Sequence, residues 1–155
     1  MLRFKPQSII SLVALAAILV TVIWLLPRYL APVAAPTLST EPDCDLGLGA
    51  CSATEDGISL ALELAPYQAT ALEPLHFQVR LKGASATAVT IYLEGRDMYM
   101  GLNSLALVRS TDEPGLWLGT TTLGICTTGE MVWQATVEAH TAAAPVSARY
   151  EFSAR

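Results

Sequence analysis

Leu75, Phe77, Val79 and Leu81 are apolar, and the residues between and after them, His76, Gln78, Arg80 and Lys82, are polar or charged. A repeat of two fits only an extended strand with one face in a core and the other in water. The same rhythm returns along the chain. Ile58, Leu60, Leu62 and Leu64 precede it, and Val89, Ile91 and Leu93 follow. Leu105 and Leu107 come next, then Leu116-Trp117-Leu118 after the turn Thr111-Asp112-Glu113-Pro114-Gly115. Met131, Trp133, Ala135 and Val137 continue the series, and Tyr150 and Phe152 close it. About seven short strands separated by Gly, Pro, Asp or Asn turns predict an all-β fold, an antiparallel immunoglobulin-like β-sandwich. A small open barrel is the alternative.

One stretch breaks the rhythm. Ile9 to Leu26 reads IISLVALAAILVTVIWLL, without charge, Gly or Pro. Its hydroxyls, Ser11 and Thr21, can bond back to helix carbonyls. As a helix it rises roughly 27 Å, close to the hydrocarbon thickness of a bilayer. The spacing predicts one N-terminal transmembrane helix over 9–26 behind a tail of residues 1–8. Arg3 and Lys5 precede the run and Arg28 alone follows closely. The positive-inside rule then places the N-terminus in the cytoplasm and exports the rest. The expected location is a bacterial inner membrane, single-pass, with a periplasmic domain. A cleaved signal peptide ending near Val33-Ala34-Ala35 competes. It would place Pro36 after the cut, and the apolar run exceeds an ordinary signal core.

Pro27, Pro32 and Pro36 make 27–43 a semi-extended spacer, and 44–155 the exported domain. That length suits one core and not two. All 14 acidic residues lie from Glu41 onward, against the six bases Arg80, Lys82, Arg96, Arg109, Arg149 and Arg155, a formal charge of −8. Such a domain repels phosphate backbones, which excludes nucleic acid as the expected partner. The expected partners are the membrane itself and another envelope protein.

In an oxidising compartment paired thiols are bridged. Cys44 and Cys51 enclose two glycines and form the simplest pair, leaving Cys126 free; Cys51 with Cys126 is the other arrangement. Asp97-Met98-Tyr99-Met100-Gly101 follows a strand, and in extended backbone its two thioethers share a face. Cys126 and Met131 bracket a later turn. If the two loops lie at one end of the sandwich, Met98, Met100, Cys126 and Met131 converge on a soft-ligand site suited to Cu(I). The ordinary use of such residues is packing, and that reading stands beside the metal one.

His76 and His140 lack ligand spacing and read as solvated strand residues, while Trp117 and Trp133 read as core. No nucleophilic triad, acid–base pair, phosphate loop or zinc spacing is visible, so the chain does not read as an enzyme.

The layout joins an anchor, Cys44-Asp45-Leu46 to Cys51, Gly95 to Gly101 with its Met-x-Met, and Leu123-Gly124-Ile125-Cys126-Thr127 before Met131-Val132-Trp133-Gln134-Ala135-Thr136-Val137. It resembles the FixH-like and YtkA-like membrane-tethered sandwiches, which are uncharacterised or linked to copper handling around respiratory oxidases. The resemblance covers nearly all of the exported domain. It implies copper as the cofactor or cargo, and a copper-related role for Met98, Met100, Cys126 and Met131. The His-x-Met set of periplasmic copper chaperones is absent, which points away from Cu(II). Two functions follow as expectations: a membrane-anchored periplasmic module that holds or passes Cu(I) in support of a respiratory oxidase or copper handling, or a non-metal interaction and assembly domain of the envelope.

Overall fold

The computed structural model describes residues 6–30, 36–101, 103–125 and 129–155, with the side chains of its one helix described over 14–26. The chain divides into two compact units, Met1–Ala34 and Ala35–Arg155.

The first unit holds helix α1, Pro6–Leu30, 25 residues long. Thr21 donates its hydroxyl to the carbonyls of Ala17 (3.0 Å) and Ile18 (2.8 Å), so its polar atom is satisfied within the helix. Ile18, Ile23 and Trp24 are exposed. Among the described residues no helix is long and apolar enough to cross a membrane. The stretch with described side chains, 14–26, rises only about 20 Å, short of a bilayer core.

The second unit is two antiparallel sheets. Its strands are β1 (Cys51–Glu55), β2 (Ile58–Ala65), β3 (Pro74–Lys82), β4 (Ala86–Gly95), β5 (Asn103–Ala106), β6 (Val108–Arg109), β7 (Leu116–Thr122), β8 (Met131–Thr141) and β9 (Pro145–Ala154). One sheet runs β1-β2-β3-β7-β6 and the other β5-β4-β8-β9. The alternation of β3 is realised as expected, with Leu75, Phe77, Val79 and Leu81 buried. They meet Ile91, Leu93, Ala135, Val137 and Phe152 of the facing sheet in one core. Phe77 and Phe152 pack edge to face across it, ring centres 6.3 Å apart.

Two strands exceed the sequence expectation. β1 escaped notice because its inward residues, Cys51 and Ala53, are small and make a faint pattern. β6 is the continuation of β5 after a change of sheet. Residues 103–106 pair with β4, and 108–109 pair with β7. Leu107 is the corner, its N–H bonded to Val89 O at 2.9 Å. Its side chain lies over Gly119, where a β-carbon would collide with Leu107 Cδ2.

The opposite flank is closed differently. The expected spacer ran to residue 43, yet from Pro36 onward the chain lies on the β unit. Leu38 N–H bonds Ser147 O (2.7 Å) and Leu46 N–H bonds Glu151 O (3.2 Å), both on β9. Between them Glu41 N–H bonds Ser52 O (3.1 Å) on β1. The strap 36–46 therefore laces the outer strand of one sheet to the outer strand of the other. Leu38 and Leu46 are its buried anchors, which the prolines around them concealed in the sequence. Cys44 and Cys51 are joined in a disulfide that ties the strap to β1. This is the local pairing of the two alternatives.

Tyr150 is buried and donates its hydroxyl to Leu60 O at 2.6 Å, joining β9 to β2. Burial pushes its pKa well above the ordinary value of 10.0. Below about pH 10 the phenol is protonated folded or unfolded and contributes no pH dependence. Above that, the unfolded chain releases the proton and the folded one keeps it, so stability falls as pH rises, by up to roughly 1.4 kcal/mol per pH unit. Denaturant midpoints between about pH 8 and about pH 11 should show this fall. Tyr150→Phe should start about 1 kcal/mol lower and fall less steeply.

Candidate functional site

The strand pairings bring three loops to one end of the sandwich. β2 and β3 turn there through 66–73, β4 leaves through 96–101, and the described residues between β7 and β8, 123–125 and 129–130, lie there too. Ala69 bridges to Ala154, so the end of β9 joins them. Leu72 N–H bonds Leu123 O at 3.0 Å, tying the first loop to the third. Arg96 fixes the second. Its N–H bonds Val132 O (3.0 Å), and its guanidinium bonds Asp97 (3.2 Å) and Glu151 (3.2 Å). The hydrogen bond with Asp97 is the chief reason its pKa lies above the usual arginine value.

Gly95 is the pivot of this end. It stands opposite Trp133 in the β4–β8 ladder. A β-carbon on Gly95 would collide with the Met98 carbonyl oxygen and come within 3.0 Å of Met131 Cε and 3.2 Å of Met100 Cγ. The chain after Gly95 therefore turns back over it, and the thioether side chains of Met100 and Met131 close on the same spot. Met100 Cε also reaches to 4.0 Å of where a β-carbon on Gly124 would lie. Met98 and Met131 line one cleft of about 360 Å³ with Asp97, Glu130, Val132 and Ser153.

Three of the four expected soft ligands are thus gathered at one end. The fourth, Cys126, lies outside the described residues, two positions after Gly124. The route to this gathering differs from the expected one. Met98 and Met100 do not sit on one face of an extended strand; 96–100 is a bent loop in which Met98 is exposed and Met100 half-buried. Met131 is buried at the start of β8. A second cleft of about 310 Å³ adjoins the first through the shared Glu130 and Ser153, and includes Asp45, Tyr67 and Arg155. Glu130 pairs with Arg155 at 3.5 Å.

Among the described residues no three His, Cys, Asp or Glu side chains group to hold a metal ion. The histidines stay apart, His76 bonding Thr120 Oγ1 at 2.9 Å and His140 pairing with Glu138 at 3.3 Å. Trp117 and Trp133 are buried, as the alternation predicts. Trp133 brings an addition that sequence could not reveal: its indole N–H is buried and finds no hydrogen-bond partner among the described residues, on the strand pair that holds Gly95 and Met131. The role of Gly95 was equally hidden, because a glycine at a strand end is ordinary until its cross-strand neighbour is known.

No protein family's sequence profile matches this chain, and no curated protein matches it significantly. Two solved structures are similar in part. One is an engineered protein, 21% identical with a TM-score of 0.42, over 61% of this chain and 20% of that one. The other is a DUF4785 family protein from Legionella pneumophila, 12% identical with a TM-score of 0.42, over 63% of this chain and 28% of that one. The chain therefore spans well under a third of either structure's length.

Proposed function

We propose that this protein is a membrane-tethered, exported sandwich that holds or passes Cu(I) at the Met98–Met100–Met131 end. The single observation behind the metal reading is the closure of Met100 and Met131 on Gly95, with Met98 lining the same cleft as Met131. Thioethers are soft and neutral, and they suit a soft monovalent cation rather than Mg²⁺ or Ca²⁺. The carboxylates of Asp97 and Glu130 border the same cleft and add negative potential toward a cation. Cys126, by its place in sequence, is the candidate fourth ligand. The likeness of the motifs to the FixH-like and YtkA-like proteins supports the same reading.

The tether rests on the uncharged run Ile9–Leu26 inside the 25-residue helix, with Arg3 and Lys5 ahead of it. The finer immunoglobulin-like assignment is supported by strand order. Counting from β2, the sheets follow the A-B-E-D and C′-C-F-G orders, with β1 added outside the first.

The test is a Cu(I) titration of the full chain in neutral-lipid nanodiscs against a competing chelator. Met-to-Leu changes conserve volume and leave the fold standing. Each lost thioether is expected to weaken retention at least about tenfold, roughly 1.4 kcal/mol. A thioether carries no proton to displace, so a methionine-only site holds its affinity from about pH 5 to about pH 8, whereas a thiolate contribution from Cys126 weakens in acid. A Met98→Leu, Met100→Leu double variant that competes as well as the wild type sinks the copper reading.

A further inference from the structure

We infer that the loop end of the sandwich is a docking surface for a protein that presents an apolar patch ringed by lysine and arginine. It gives the tethered module a partner, and rests on the proposed function for that partner's role but not for the surface itself.

The first observation is where exposed apolar side chains fall. Single ones are ordinary on any surface, and only grouping carries information. In the β unit, Leu48, Tyr67, Leu72, Met98, Tyr99 and Ile125 are exposed, Tyr99 to 83% and Ile125 to 62%. All belong to this end or border it. Leu72 and Ile125 flank the bond from Leu72 N–H to Leu123 O, and Met98 and Tyr99 lie on the loop over Gly95. Tyr67 and Gly47 line one cleft, and Leu48 is the next residue. The remaining pair, Val108 and Leu118, stand opposite each other in the β6–β7 ladder. The far end of the sandwich, with the turns at 56–57, 83–85 and 142–144, has no exposed large apolar residue.

The second observation concerns the flanks. The strap 36–46 covers β9 and β1 on one side, and the other side ends in the short outer strands β5 and β6, four and two residues long. A partner that adds a strand needs a long open sheet edge, and neither flank offers one.

Charge selects the occupant. Asp45, Glu73, Asp97, Glu130 and Glu151 lie at this end against Arg96 and Arg155. Both arginines are held in ion pairs by these acids, Arg96 by Asp97 and Glu151 and Arg155 by Glu130. The apolar residues thus sit in a field of net negative charge. A second copy of this chain or an anionic lipid surface meets like charge there, and a basic-rimmed protein meets opposite charge.

The test needs no metal, so its failure leaves the Cu(I) titration standing, and the reverse. The full chain in neutral-lipid nanodiscs is titrated with an amphipathic helical peptide whose leucine stripe is flanked by lysines, and with a twin flanked by glutamates. Amide signals report the contact. The lysine peptide should shift the signals of Leu72, Tyr99 and Ile125, bind more weakly as salt rises, and outbind its twin at least tenfold. Tyr99→Ser with Ile125→Ser should reduce its affinity about tenfold while the thermal midpoint stays unchanged; Leu72→Ser, in a loop that holds no proposed ligand, should act in the same direction and leave Cu(I) affinity unchanged. The inference is overturned if the glutamate twin binds as tightly, if the shifts map to the β6–β7 edge, or if the substitutions abolish self-association or vesicle binding and leave peptide affinity intact.

Discussion

Gly95→Val is expected to destabilise the β unit by about 3 kcal/mol and to release the methionine loop from the end of the sandwich. Small-to-large changes at tight positions cost roughly 1–3 kcal/mol, and the upper figure applies when the obstacle is backbone. Here the obstacle is the Met98 carbonyl, with Met131 Cε at 3.0 Å and Met100 Cγ at 3.2 Å crowding the same point. The side chains can give a few tenths of an ångström; the carbonyl moves only with its loop. Signals of Met98 and Met100 should therefore shift more than those of the distant core. Gly124→Ala is the control, because the nearest neighbour of its new β-carbon is Met100 Cε at 4.0 Å, an ordinary contact. Its effect should stay within about 0.5 kcal/mol. Denaturant midpoints of the two variants, measured together, decide the matter. Equal stability would mean that Gly95 is not the pivot of this end.

Phe77→Ala should cost more, about 3–5 kcal/mol, the range for removing a fully buried aromatic ring. Phe77 is fully buried in the middle of β3 and meets Phe152 of the facing sheet edge to face. The loss removes contact between the sheets while the backbone ladders within each stay in place. A domain of this size holds on the order of 5–15 kcal/mol in all, so the variant should unfold at a much lower denaturant concentration. Phe77→Leu, which keeps most of the volume, should lose less than half as much. A Phe77→Ala midpoint close to wild type would show that the two sheets are held together elsewhere.

Most of the β architecture is legible in the sequence because alternation reports burial directly. Leu75 to Lys82 and Met131 to Val137 alternate strictly, and both become long central strands. The misses share a physical cause. β1 offers a small side chain, Ala53, where the rule looks for large ones. The strap 36–46 is bound by backbone hydrogen bonds and by Leu38 and Leu46, and leaves almost no periodic trace. At the candidate site, sequence supplied the methionines but not their geometry. Which residue faces Gly95 depends on the β4–β8 register, and register is set by the whole sheet. The apolar rim was invisible for the same reason, since Leu72, Tyr99 and Ile125 are far apart in the chain and come to one end only through the strand pairings.

The strap also has a mechanical meaning. Any tug on the chain ahead of Pro36 arrives first at the bonds between 36–38 and Ser147, which can peel one at a time. Peeling then reaches Cys44, where the link to Cys51 passes the load straight to the first residue of β1. From that point the force pulls on the β1–β2 ladder, five residue pairs from Cys51↔Leu62 to Glu55↔Ile58. The covalent ring acts as a strain relief, like the clamp on a cable. It sets how far the chain ahead of it can be drawn out before the folded body feels it.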